Sequence, residues 1–259
     1  MSLKFTVVTA VFNAEDVIEK TIKSVLNQTY TPYEYLIIDG KSSDKTVEII
    51  RKYSKRFEEK NITLKIVSEK DNGIYNAMNK GIDLAEGDFI SFLNAGDWYE
   101  LDALENINKF YEEDSFDLTY GGLHYVNPNG TITNKMSKND EKGIVTSRHW
   151  NHPSMFMSTK LYKKYKFNEK FRAYADFDLY LKMRKKGVKI RVIDKVITNF
   201  VADGVSTNTN MKKVLRRAKE KYEAYMGNGY SKIYWIESYG WEVFKAVYFT
   251  KEASEEENL

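Results

Sequence analysis

The 259-residue sequence contains no cysteine, which excludes a disulfide scaffold, thiolate metal sites and thiol nucleophiles together. Its three histidines, His124, His149 and His152, are too few for a histidine-rich metal centre. No apolar run approaches the roughly 18 residues of a spanning helix. No stretch before Phe5 reads as a signal peptide, so the expected location is cytoplasmic. Glycine motifs are missing as well. The first apolar run ends in Thr9-Ala10-Val11-Phe12-Asn13, without the Gly-x-Gly-x-x-Gly that brings a backbone close to a dinucleotide pyrophosphate. A Gly-x-x-x-x-Gly-Lys-Ser/Thr phosphate loop and a Gly-x-Ser-x-Gly elbow are absent too. Dehydrogenase, P-loop NTPase and α/β-hydrolase are thereby disfavoured.

What is present suits a folded protein: 42% hydrophobic and 30% charged residues, with 40 Lys and Arg against 37 Asp and Glu. The balance hides an asymmetry. Residues 71–117 carry twelve acids against two lysines, whereas 160–191 carry twelve Lys or Arg against three acids and 212–221 six against one. Such a chain can hold a cation in one place and meet phosphates or anionic lipid in another; two solvated faces are the plainer reading.

Apolar runs and helical spacings alternate over the first half. Strands are predicted at Phe5–Val11, Tyr35–Ile38, Leu64–Val67 and Phe89–Leu93, and helices at Ala14–Gln28, Ser43–Phe57, Ile74–Leu84 and Leu101–Tyr111. This alternation predicts a parallel sheet covered on both faces. Later, Leu118–Val126 and Thr131–Lys135 flank a hairpin signal at Asn127-Pro128-Asn129-Gly130. Ser154–Met157 and Lys189–Ile193 read as strands, and Asp176–Lys186 as a helix closed by Gly187. Met211–Tyr225 and Ile233–Phe249 read as closing helices, and Lys251–Leu259 as an acidic tail. The expected division is 1–115 and 116–207, two halves of the same domain, and 208–259, a helical extension with its tail.

Ligands of open α/β sheets bind beyond the carboxyl ends of the strands, and the groups found there are acidic. Asp39, directly after Tyr35-Leu36-Ile37-Ile38, can accept hydrogen bonds from a base or ribose, or simply serve its turn. Asp44 suits a helix cap. Asp97, beside Gly96, can ligate Mg²⁺ or Mn²⁺ that also grips a diphosphate, or cap the following helix. Asp176 and Asp178 suit a first helical turn. Lying ~200° apart around it, they cannot both face one cleft, so at most one is a general base.

Several of these segments resemble, in order and spacing, the successive blocks of family 2 inverting glycosyltransferases. They are Thr6–Asn13, Ser24-Val25-Leu26-Asn27-Gln28-Thr29-Tyr30, Ile38-Asp39-Gly40-Lys41-Ser42-Ser43-Asp44-Lys45-Thr46, Asp71–Gly81 and Ala85–Asp97. The likeness continues through His152-Pro153-Ser154-Met155-Phe156, Asp176-Phe177-Asp178-Leu179-Tyr180-Leu181 and Gly204-Val205-Ser206-Thr207. Its nearest flavour is the subgroup similar to colanic-acid-type polysaccharide enzymes.

The resemblance implies an α/β GT-A fold, Rossmann-like, with a mixed, mainly parallel sheet and helices on both faces; the C-terminal helices read from spacing are additional, and residues 208–259 lie outside the likeness. It implies transfer of a sugar from an NDP-sugar, UDP-linked by expectation, to a glycan or lipid-linked hydroxyl with inversion, in surface polysaccharide synthesis. A divalent cation, Mn²⁺ or Mg²⁺, belongs to that picture; nucleic acid does not. Carried over by position, Thr9, Val11, Asp39, Asp71 and Lys80 surround the nucleotide, Asp97 holds the metal, and Asp176 is the base. His152, Asn94, Trp98 and Tyr174 are candidates for positioning acceptor or diphosphate. Asn94 and Gly96 stand where the family often has acids, and Ala175 replaces an acid that commonly precedes the base. The rivals are a catalytically silent sugar-nucleotide or glycan-binding module and a sugar nucleotidyltransferase, which would carry a Gly-rich, Arg-containing loop lacking here. The basic stretch at Lys212–Lys221 and the aromatic one after it predict peripheral contact with a membrane, or aromatics packed on the fold or in a homodimer.

Overall fold

A computed structural model describes residues 2–127, 129–138, 144–201 and 210–247. The Gly204–Thr207 motif, Pro128, Tyr248, Phe249 and the acidic tail lie outside the described residues. The chain packs as two units: Met1–Phe167 with Val188–Val201, and Asn168–Gly187 with Ala202–Leu259. The expected halves of one domain, 1–115 for a nucleotide-sugar and 116–207 for an acceptor, share a sheet that runs across residue 115.

That sheet belongs to the first unit. Its strands are β1 (Phe5–Val11), β2 (Glu34–Asp39), β3 (Thr63–Ser68), β4 (Phe89–Phe92), β5 (Trp98–Tyr99), β6 (Leu118–Val126), β7 (Ile132–Lys135), β8 (Met155–Ser158) and β9 (Ile190–Val201). They lie in the order β3-β2-β1-β4-β8-β6-β9-β5, with β7 also on β6. The first four are parallel neighbours; β8 is antiparallel to both β4 and β6, and β6 pairs parallel with β9. β1, β2 and β4 are buried and read as continuous apolar runs, which is why they were legible, whereas β3 at the sheet edge is only partly buried.

Alternate residues of β1 face opposite layers. Phe5, Val7 and Val11 join a core with Ile18, Ile22 and Val25 of α1 (Ile18–Leu26) and Leu104 and Ile107 of α5 (Ala103–Glu113). Val8 faces α4 (Ile74–Leu84), which lies so close that a Cβ on Gly81 would fall 2.5 Å from Val8 Cγ1. The helix expected over Ser43–Phe57 is two, α2 (Thr46–Lys52) and α3 (Ser54–Glu59). The Tyr53 N–H bonds the Ile50 carbonyl three residues back, tightening the turn where the Tyr53 hydroxyl reaches Glu19. A further helix, α6 (Thr159–Tyr165), follows β8.

β9 is longer than the predicted Lys189–Ile193. Asp194 and Lys195 are exposed and break its apolar pattern, and the β6 register shifts there. Gly121 makes room: a Cβ on it would meet the Lys195 carbonyl and Ile197 Cγ1, each at 2.7 Å.

The second unit contains α7 (Ala175–Lys185), α8 (Met211–Gly227) and a helix over residues 234–247 with a π-helical turn at Ile236–Gly240. Phe177 meets Tyr225 edge-on at 5.4 Å, and Tyr225 stacks on Tyr234 at 4.2 Å.

Candidate active site

β2 and β3 lie on one side of β1 and β4 on the other, so the carboxyl ends of β1 and β4 flank the crevice that such sheets offer to ligands. Val11 ends β1, and its carbonyl accepts the Gly40 N–H (2.8 Å). Asp39, fully buried, spends its carboxylate on its own loop: it accepts the Ser42 N–H (3.1 Å) and the Ser42 and Ser68 hydroxyls (2.5 Å each). The Ser42 hydroxyl in turn accepts the Asn13 N–H (2.8 Å), tying this loop to the end of β1. Asp44 accepts the Thr46 N–H (3.0 Å) at the head of α2 and the Glu15 N–H (3.1 Å).

Asp71 accepts the Gly73 N–H (2.9 Å) through one oxygen, and the other lies where a Gly40 Cβ would be 2.7 Å away. A side chain at Gly40 would push the Asp71 carboxylate from this place. Phe12, 62% exposed, borders the same glycine; the sequence reading passed over it, although its place directly after β1 was a signal. Lys80 holds the Asp71 loop, its ammonium on Glu69 (2.8 Å) and the Lys70 carbonyl (3.1 Å). The Thr9 hydroxyl is buried between the Leu93 carbonyl (2.7 Å) and the Tyr35 hydroxyl (2.9 Å), so its side chain belongs to the core.

Beyond β4 the chain turns at Asn94-Ala95-Gly96-Asp97. The Asp97 N–H closes on the Asn94 carbonyl (3.1 Å), and Gly96 adopts φ +97°, the value a type II turn requires at that place. Thr21 of α1 clamps the turn, accepting the Gly96 N–H (2.9 Å) and donating to the Asp97 carbonyl (2.7 Å). Asp97 is 4% exposed, and one carboxylate oxygen accepts the Val201 N–H (2.9 Å). Burial pushes its carboxyl up to about 7 even so. The Asn94 side-chain oxygen is buried with no hydrogen-bond partner. A hard cation takes such oxygen donors, so Asp97 and Asn94 would suit a divalent metal. Among the described residues, no group of three or more His, Asp or Glu stands ready to hold a metal by itself.

His152 sits on a short 3₁₀ turn, nearly buried among Phe92 (6.1 Å between ring centres), Trp150 (5.7 Å) and Phe167 (6.0 Å). Trp98 carries the Lys20 ammonium over its ring.

In the second unit, the two carboxylates of the first turn of α7 differ. Asp178 is 6% exposed and committed: the Asn228 amide donates to it at 2.7 Å, and Lys182 lies at 3.6 Å. Asp176 is half-buried and accepts the N–H of Phe177 (2.8 Å). The Tyr174 hydroxyl is turned inward to Glu242 (2.6 Å).

Comparison with known proteins places this geometry. The model of Glycosyl transferase family 2 matches residues 6–183. Hyaluronan synthase of Pasteurella multocida is 30% identical over 208 residues, 78% of this chain and 21% of that protein, so the chain spans about a fifth of the length of this curated relative. Two solved structures share the fold. The mannosyltransferase PcManGT of Pyrobaculum calidifontis, in complex with GDP-Man and Mn²⁺, has a TM-score of 0.68 at 15% identity, covering 98% of this chain and 76% of its own. S. aureus TarS 1-349, in complex with UDP-GlcNAc, has a TM-score of 0.67 at 19% identity, covering 94% and 72%. Both are GT-A glycosyltransferases. With the family match covering well over half of its residues, the chain belongs to glycosyl transferase family 2.

Proposed function

We propose that the protein transfers a sugar from a nucleoside-diphosphate sugar, UDP-linked by preference, to a hydroxyl of a glycan or lipid-linked acceptor, inverting the anomeric carbon, in surface polysaccharide synthesis of the colanic-acid type. One observation carries the reading: a buried carboxylate with a raised pKa, Asp97, shares a turn with the unpartnered buried oxygen of Asn94 at the carboxyl end of β4. Such a pair suits a cation and the diphosphate it accompanies. Names among the similar proteins support the donor and metal classes, since those include complexes with UDP-GlcNAc and with GDP-Man and Mn²⁺.

Phe12 offers an exposed ring for a base to stack on, and the Asp39 and Asp71 loops, braced by Lys80, form the adjoining wall. A divalent cation bound by Asp97 and Asn94 supplies neutralisation of the diphosphate charge. Asp176 accepts the acceptor hydroxyl proton as that oxygen bonds to the anomeric carbon. The bond from carbon to diphosphate oxygen breaks with its electron pair, and the nucleoside diphosphate departs. Asp176 is preferred to Asp178 because it is the more exposed of the two carboxylates. His152 is assigned to positioning acceptor or diphosphate.

The C-terminal helices supply a surface for an anionic bilayer. Trp235, Ile236, Phe244 and Val247 are exposed, as are Met211 and Leu215 beside Lys212, Lys213, Arg216 and Lys219. Arg217 and Lys221, counted with the basic stretch from sequence, are buried in ion pairs with Glu242 and Glu237. Those pairs also turn the two acids inward; of the exposed cations, Lys219 is paired with the exposed Glu223 (3.7 Å). Among the described residues no helix is long and apolar enough to cross a membrane.

The test incubates the full chain with a panel of UDP- and GDP-sugars and Mn²⁺. Release of nucleoside diphosphate, with a product of inverted anomeric configuration by NMR, is expected. Nucleoside triphosphate made from the sugar nucleotide and pyrophosphate marks a nucleotidyltransferase. Binding without turnover, on every acceptor tried, marks a silent module.

A further inference from the structure

α7 begins without a side-chain cap of its own: Tyr174, at its N-cap, makes none. Its lead-in is instead held by carboxylates from farther along the chain. Glu220 of α8 is 7% exposed, and a single oxygen accepts the N–H groups of Arg172 (2.9 Å) and Ala173 (2.8 Å). Glu242 is fully buried and accepts the Tyr174 hydroxyl (2.6 Å), the Arg217 guanidinium (2.7 Å) and the Lys245 ammonium (3.1 Å). On the far side of Asp176, the Asn228 amide bonds both the side chain and the carbonyl of Asp178 (2.7 and 3.3 Å). The chain is thus fastened at residues 172, 173, 174 and 178, and the half-buried Asp176 lies between the fastenings.

Buried ion pairs are poor sources of stability, since apolar side chains of equal volume commonly serve as well; what a satisfied buried network supplies is a fixed arrangement. We propose that Glu220 and Glu242 are positioning residues for Asp176, so that residues 211–247, which lie beyond the span matched by the family model, complete the catalytic unit. Tyr174 is suited to its part. Burial holds its hydroxyl well above the ordinary tyrosine value, and the charges of Glu242 and Asp176 add to this, so it stays a donor. The inference rests on the reading of Asp176 as the base.

The experiment uses the full chain, Mn²⁺ and the sugar nucleotide turned over fastest in the panel above. Glu220→Ala and Glu220→Asp remove or draw back the oxygen, whereas Glu220→Gln keeps an acceptor in place. The expected result is a kcat lower by ~10–10²-fold in the Ala and Asp variants, with donor KM and calorimetric UDP affinity unchanged, and recovery of kcat in the Gln variant. Amide exchange at Arg172 and Ala173 should quicken in step with the loss. Added to Asp176→Asn, Glu220→Ala should cost nothing further, because both act through one carboxylate. The proposal is overturned by unchanged kcat in Glu220→Asp despite faster exchange at the two amides. It is equally overturned by UDP affinity falling with kcat, or by losses that multiply onto Asp176→Asn. A wild-type rate in Asp176→Asn alone removes the base assignment, and this inference with it.

Discussion

Asp97→Asn in metal-free protein should change stability in a way set by pH. The Asp97 carboxyl ordinarily titrates at 3.8 and, in its buried place, at about 7. Between these values the folded state holds a proton that the unfolded state has released, so wild-type stability falls as pH rises through this window and levels off above it. At about 1.4 kcal/mol for each pH unit separating the two values, about 4 kcal/mol of stability is missing above pH 7. An asparagine carries no such dependence. Its amide N–H groups need acceptors, a cost of about 1–3 kcal/mol that does not vary with pH, so the slope is the quantity to read. Urea unfolding followed by circular dichroism in EDTA should show the difference between variant and wild type growing by about 4 kcal/mol from about pH 4 to pH 7, then holding constant. Adding Mn²⁺ above pH 7 should restore stability to the wild type and do little for the variant, because only the carboxylate gives the cation a charged ligand. Parallel pH profiles for the two proteins would refute the reasoning, as would equal stabilisation of both by Mn²⁺.

Asp176→Asn should bind UDP normally by calorimetry and lose on the order of 10²–10⁴ in turnover. Asp178→Asn should keep turnover within several-fold while its melting temperature falls; the reverse pattern moves the base to Asp178. Gly81→Ala forces a Cβ against Val8, and the overpacking should cost about 1–3 kcal/mol in urea unfolding, with part returned by adding Val8→Ala. Liposomes rich in anionic lipid should carry the full chain into the pellet at low salt and release it at high salt, and Trp235→Ser with Phe244→Ser should weaken that pelleting. A chain that stays in the supernatant and sediments as a dimer instead assigns the apolar face to a second copy.

The strands and helices up to residue 113 were legible because buried parallel strands and amphipathic helices carry strong, local hydrophobic patterns. Ile74–Leu84 was placed to the residue. What escaped was structure without such a pattern. β5 is two residues long and exists only through its pairing with β9, whose own continuation is hidden by the exposed Asp194 and Lys195. Tyr53 breaks a helix through a tertiary hydrogen bond that no spacing encodes. At the site, the turn carrying Asp97 was readable from Gly96 and the strand before it. The core role of Thr9 was not, because its partners Tyr35 and Leu93 come from other strands. Nor could composition show that Arg217 and Lys221, among six neighbouring cations, are the two turned inward.

The hydrogen bond from Val201 to Asp97 joins residues 104 positions apart. A nascent chain that has emerged only through β4 and its turn has the nucleotide-side strands but leaves the Asp97 carboxylate without its backbone donor. The turn carrying Asp97 is therefore finished by the last strand of the sheet to be synthesised. Because the donor is a backbone N–H, a chimera that exchanges the first hundred residues and keeps β9 in place retains this bond with any residue but proline at position 201.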